Sequence, residues 1–287
     1  ILLLTIGALS LRRVRPSTKN GPSWKLPKQA WDLSKVQFYH AVASRSKSTG
    51  KPAHFGDLMR LCHVKHSELA PEFHRYKGRV VFRGDIVKDE GGHLAVFSEQ
   101  GTSASHLSAA KFLDAIARAP GCAGEDADAT SAYTQSLLDG SETWISIPVD
   151  KWPSSWHGKY DTKGPNRPVV PLRLSLYGHP LAGLYWEKHC HKAIKACGFV
   201  PVRGWECLFK HPKEKLFLSI YVDDFKMSGC AENLPKMWKK LREHIVLEDP
   251  VPLETNVYLG CGQAPVEIPE SELSLRRAFW SLSLIHI

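Results

Sequence analysis

The stretch from Leu216 to Phe225 (LFLSIYVDDF) limits the possible folds of this chain more than any other. An apolar run of strand length leads straight into two adjacent carboxylates, Asp223 and Asp224. Neighbouring acids repel each other and resist burial unless a cation neutralises them. A second apolar run, Glu206–Lys210, precedes the first, and residues 210–214 separate the two like a hairpin loop. The acids then lie at the far end of an antiparallel pair, a natural seat for a divalent ion. Oxygen ligands favour Mg²⁺ or Mn²⁺ there. The same four residues, Tyr221-Val222-Asp223-Asp224, also fit a solvated surface turn.

A second acid, Asp128, stands at the end of a short strand that runs into a helix start at 126–133, with Tyr133 five residues on. Taken alone, Asp128 reads equally as a helix N-cap. Elsewhere the pattern predicts a helix at 105–119, where Leu107, Ala110, Leu113, Ile116 and Ala117 recur at helical spacing. Helices are also expected at 185–197 and 234–245, and a weaker one at 54–75. Strands are expected at 79–83, 144–147, 169–174 and 256–261. This order fits an α+β fold with helices on one face of an antiparallel sheet.

Charge is unevenly spread. Residues 1–80 hold 15 Lys/Arg against 4 Asp/Glu, whereas the whole chain of 287 residues has a net charge of +9. A basic front part suits a polyanion such as nucleic acid, and equally a solvated basic arm. Residues 1–60 therefore read as a basic arm or linker, with a helix near 31–43. No apolar run is long enough to span a membrane. The 7 cysteines lack framework spacing, which fits free thiols in a reducing compartment. Neither His189-Cys190-His191 with Cys197 nor Cys62-His63 with His66 matches a zinc pattern. The chain opens on Ile1 rather than Met, so its true start is expected to lie upstream. Residues 263–287 read as a truncated tail, and its last six (LSLIHI) resemble translated sequencing adapter.

The two acid signals together resemble the palm of a reverse transcriptase of the copia-type retrotransposon Pol polyprotein. Asp128 and Asp223 stand 95 positions apart, as a strand-end Asp and a Tyr-x-Asp-Asp hairpin do in that family. Further blocks follow in order. Residues 76–84 (YKGRVVFRG) are similar to the family's Tyr-Lys-Ala-Arg-Leu-Val-Ala-Arg-Gly, and Leu176-Tyr177-Gly178 with Trp186 to its Leu-Tyr-Gly…Trp block. Gly198-Phe199 and Tyr258-Leu259-Gly260 match the blocks on either side of the hairpin. One block departs: Leu181 and Leu184 stand where the family has Gln and Arg.

The resemblance implies right-hand polymerase fingers and palm over 61–262, an antiparallel palm sheet backed by helices, and a truncated thumb. It implies RNA-directed DNA polymerase activity with two Mg²⁺ or Mn²⁺ ions. Asp128, Asp223 and Asp224 would be catalytic metal ligands, joined by the backbone carbonyl of Ala129. Tyr133 would sit under the sugar of the incoming nucleotide and select against a 2′-hydroxyl. Lys77, Arg79 and Arg83 would grip phosphates, Gly178 would admit the template, and Tyr221 would lie near the primer end. The implied partners are an RNA or DNA template–primer, deoxynucleoside triphosphates, and the integrase and RNase H modules of a polyprotein. The implied location is the cytoplasm, in virus-like particles, and the nucleus, with no secretion and no membrane. A catalytically inactive relic that only binds nucleic acid is the alternative.

Overall fold

The computed structural model describes residues 30–97, 101–263 and 268–284. The arm expected at 1–29 and the last three residues of the adapter-like end lie outside the described residues. Along the chain the elements run β1 (Gln37–Phe38), α1 (Tyr39–Thr49), β2 (Ala53–Lys65), β3 (Arg75–Phe82), α2 (Leu107–Ala117), β4 (Cys122–Asp128), β5 (Glu142–Ser146), β6 (Pro168–Pro171), α3 (Ala182–Ala196), β7 (Val200–Pro201), β8 (Leu208–His211), β9 (Leu216–Tyr221), β10 (Asp224–Cys230), α4 (Leu234–Arg242), β11 (Val251–Pro252), β12 (Val257–Tyr258), β13 (Cys261–Gly262) and α5 (Glu270–Leu284). No helix among the described residues is long and apolar enough to cross a membrane.

Two sheets organise these elements. The first is five-stranded in the order β1-β6-β5-β2-β3 and holds one parallel pair, Ala53 of β2 facing Glu142 of β5. The second is six-stranded, β11-β4-β10-β9-β8-β7, and every pair in it is antiparallel. Two expectations fail in the first sheet. Residues 54–75 supply the long strand β2 rather than a helix. Its outer half leaves Met59 and Leu61 exposed, so backbone pairing with β3 and β5, not a buried helical stripe, decides its conformation. Residues 30–60 are not a loose arm either: Ala30, Trp31, Val42, Ala43, Ala53 and Phe55 are all buried. The helix in this region is Tyr39–Thr49, displaced toward the C-terminus of the expected one and closed by Gly50 at φ 65°.

The antiparallel sheet is buried on both faces. Leu216, Leu218 and Ile220 of β9 alternate onto one side, where Trp186 and Ile194 of α3 and Trp238 and Leu241 of α4 cover them. Phe217 points the other way, against Ala109 and Leu113 of α2. Helices therefore lie on both faces, not one. The side under α2 is unusually polar for an interior. Ser219 Oγ donates to Ser105 Oγ at 2.6 Å, and Lys226, 2% exposed, pairs with Asp114 of α2.

The departing block at 179–184 packs tightly against the first sheet. The His179 ring lies 4.9 Å from that of Phe82. Its Nδ1 accepts from the Leu181 N–H at 3.2 Å, which assigns the ring proton to Nε2, 3.4 Å from Thr143 Oγ1. Burial pushes the His179 pKa down to about 4. The neutral ring folds, whereas the unfolded chain takes up a proton below its ordinary value of 6.5. This contribution is therefore complete above pH 6.5 and is lost as pH falls toward 4. Thermal melts of the wild type and His179→Gln should show a shallower acid-side decline in the variant; parallel declines would remove His179 as the cause.

Gly178 has a structural duty. At φ 87°, a Cβ there would stand 2.1 Å from the Phe82 carbonyl oxygen, whose own residue donates its N–H to Tyr177 O at 2.7 Å. A side chain would force the segment off β3. Gly178→Ala is expected to cost about 2 kcal/mol or more in urea unfolding, and a cost below about 0.5 kcal/mol would contradict the packing argument.

Candidate active site

The hairpin between β9 and β10 turns through Val222 and Asp223, with Tyr221 facing Asp224. Val222 has φ 58°, an uncommon conformation for a β-branched residue. The turn is held from beneath. Trp186 Nε1 donates to the Val222 carbonyl at 2.7 Å, so this tryptophan is core and buttress at once. From the side, the Ala129 N–H donates to the Asp223 carbonyl at 2.7 Å. Trp186→Phe should keep most of the packing, cost about 1 kcal/mol for the lost hydrogen bond, and loosen the turn; unchanged hydrogen exchange at residues 221–224 would count against the buttress.

The register of β4 on β10 then brings the distant acids together. Asp128 faces Asp224 directly, and Asp126 faces Lys226 two residues further along. The carboxyl groups of Asp224 and Asp128 lie within hydrogen-bonding reach. Burial first, then the charges of Asp128 and Asp223, push the Asp224 pKa up to about 7. Asp128 is exposed, and Asp223 and Asp224 are half-buried, so the cluster opens to solvent. Two facing carboxylates, with the charge of Asp223 felt beside them, offer oxygen donors of the kind a hard divalent cation takes.

A fourth acid was not singled out from the sequence. Asp126 is 3% exposed, its Oδ1 has no hydrogen-bond partner, and its Oδ2 accepts from Asn256 at 2.8 Å. Burial raises its pKa, with Asp128 adding to the effect. Lys226 lies across the strands from it, paired with Asp114 and 4.8 Å from the Tyr258 ring. The signal was in the register: once Asp128 is set opposite Asp224, antiparallel pairing places Asp126 opposite Lys226.

Around the acids the remaining candidates divide. Tyr133, on the 3-10 turn Ala132–Gln135, packs against Tyr177 with ring centroids 4.6 Å apart and planes tilted by 47°. Burial raises the pKa of both phenols, Tyr177 to about 12, and the charge of Asp223 adds to each shift. The Arg79 guanidinium sits 5.5 Å from the Tyr177 ring, so an exposed cation reaches the edge of the site. Tyr221 is 40% exposed at the mouth of the hairpin. Arg83 is shared with Asp85, to which its Nη2 pairs at 2.7 Å. Gly178 spends its missing side chain on Phe82, as described above. Lys77 faces His63 in the β2–β3 ladder; its side chain lies outside the described residues.

No family model matches the chain. A stretch of 62 residues, 21% of this chain, is 37% identical to the truncated transposon Ty1-A Gag-Pol polyprotein of Saccharomyces cerevisiae, of which it covers 5%. The transposon Ty1-DR5 and Ty1-LR2 Gag-Pol polyproteins of the same organism match at the same identity, with 3% of their length covered. The chain thus spans a small part of the polyproteins that it matches, and this partial homology supports a retrotransposon-derived protein.

Proposed function

We propose that this chain is the fingers and palm of a reverse transcriptase from a copia-type retrotransposon. The observation that carries the reading is the meeting of Asp128 with Asp223 and Asp224, acids from separate parts of the chain, at a solvent-open hairpin end. Its supports are the similarity to Ty1 Gag-Pol polyproteins and the all-oxygen donor set. In this reading the six-stranded sheet is the palm and the five-stranded sheet the fingers.

Asp128, Asp223 and Asp224 would hold two Mg²⁺ or Mn²⁺ ions, and the elevated pKa of Asp224 fits carboxylates short of cationic charge. When bound, such a pair lowers the pKa of a primer 3′-hydroxyl and neutralises the triphosphate it attacks. The protein's own groups do the rest. Asp224 and Asp128 are fixed by the β4–β10 ladder, and Asp223 by the Ala129 N–H at its carbonyl. Tyr133, braced by Tyr177, presents a ring where a deoxyribose would rest, and Arg79 adds positive charge for phosphate oxygens. The partners in this reading are a template–primer and deoxynucleoside triphosphates.

One feature favours a second reading, an inactive relic that only binds nucleic acid. Leu181 and Leu184 offer no polar group where the family carries Gln and Arg. Primer extension on poly-rA/oligo-dT with Mg²⁺ or Mn²⁺ separates the two. The polymerase reading expects incorporation that disappears in Asp223→Asn. Template–primer binding without incorporation by the wild type would establish the relic.

A further inference from the structure

We propose that Glu187, His191 and Cys207 form a second metal site, suited to zinc, that fastens α3 to the segment before β8. Glu187 and His191 are four residues apart on α3, so both project from one face. Cys207 comes from the turn ahead of β8 and is buried. One donor atom from each lies within 4.8 Å of the others. Cys207 Sγ is 3.8 Å from His191 Nε2, and Glu187 Oε1 is 4.0 Å from His191 Nδ1. Ligands of a tetrahedral zinc stand roughly 3.3–3.7 Å apart, given zinc–ligand bonds of about 2.0–2.3 Å. The two approaches are to different nitrogens of one ring, so closing the site takes a turn of the His191 ring or of the Glu187 carboxylate that brings a single nitrogen to both partners.

The surroundings are those of a held ligand set rather than of a chance cluster. The Ser103 N–H donates to Glu187 Oε2 at 2.9 Å, and its hydroxyl to Oε1 at 3.2 Å, which orients the carboxylate as outer-shell partners do in zinc proteins. Cys207 adopts φ 50°, a conformation unusual for a residue with a side chain. Cys207 is a free thiol in the metal-free protein. Binding would transfer the thiol proton to solvent and form a zinc–thiolate bond in its place. Glu187, His191 and Cys207 line a cavity of about 30 Å³, room for a single ion with its solvent. Cys190, buried on the same helix, borders the cavity. A mixed thiolate, imidazole and carboxylate set selects zinc or cobalt over Mg²⁺, which prefers oxygen alone. The carboxylates at the hairpin have no thiolate, so the two sites are chemically separable.

The test uses the whole chain, freed of metal and reduced, titrated with Co²⁺ as a spectroscopic probe. A thiolate-to-cobalt charge-transfer band reaching one equivalent per chain, and displaced by Zn²⁺, is the expected result. Cys207→Ser and His191→Gln should abolish the band with unchanged circular dichroism, and Cys261→Ser should keep it. Should the variants fail to fold, alkylation of the wild type answers the same question: Zn²⁺ should slow labelling of Cys207 at least about 10-fold. Absence of a stoichiometric band in the wild type, a band that survives in folded Cys207→Ser, or labelling of Cys207 that ignores Zn²⁺ would each overturn the proposal.

Discussion

Asp128→Asn is expected to lower metal-dependent nucleotide incorporation by about 10²–10³-fold or more, equivalent to about 3–4 kcal/mol of transition-state stabilisation. The same change should make the metal-free protein more stable at alkaline pH. Both effects follow from the crowding of Asp128 against Asp224. In the folded, metal-free chain Asp224 has a pKa of about 7, against an ordinary value of 3.8. A carboxyl raised in this way contributes stability that is fully present below its unfolded pKa and is lost as pH rises through its folded one. The wild type in chelator should therefore lose stability between about pH 4 and pH 8 through this group. An amide at 128 removes one repelling charge and offers Asp224 a donor, so the pH slope should flatten. Steady-state incorporation with Mg²⁺, and thermal melts in chelator at pH 5 and pH 8, measure the two effects. Full activity in the variant, or a slope equal to that of the wild type, would break the link between the acids.

Lys226→Met should be among the most destabilising single changes in the molecule, costing about 3–5 kcal/mol. Its ammonium is 2% exposed, paired with Asp114 and set across from Asp126. Methionine fills similar volume, so the loss is electrostatic. Asp126 would be left buried, with one oxygen already unpartnered and the charge of Asp128 nearby. Asp114 is less affected, being one-third exposed and free to be hydrated. The double variant Asp126→Asn/Lys226→Met should recover at least half of the loss, because no uncompensated charge then remains inside the sheet. Urea unfolding of the three variants forms the test. A single-variant cost under about 1 kcal/mol, or no recovery in the double, would show that Lys226 does not offset the burial of Asp126.

The hairpin and its acids were legible because each rests on local chemistry: an apolar run, a turn, and two charges that cannot be buried together. The helices at 107–117, 182–196 and 234–242 were legible from periodicity, to within a few residues. What escaped depended on distant partners. β2 takes its conformation from β3 and from a parallel neighbour about ninety residues later, and its own composition does not announce a strand. The second buried face of the six-stranded sheet was hidden because Ser219, Lys226 and Ser228, all buried, are polar residue types that usually face solvent. Glu187 and His191 carried a visible helical spacing, but nothing local pointed to Cys207. The contacts of Arg83 with Asp85 and of Gly178 with Phe82 were hidden for the same reason.

The register that sets buried Lys226 opposite buried Asp126 also disciplines assembly. Sliding β10 along β4 by one residue would turn its side chains over, driving the ammonium among Phe209, Leu218 and Trp238 and casting Phe225 and Met227 onto the polar side. Mispaired intermediates are thereby penalised at the step when two strands a hundred residues apart first zip together. A buried charge with its partners in place thus works as a vernier, disfavouring alignments of the strands other than the one in which the acids meet.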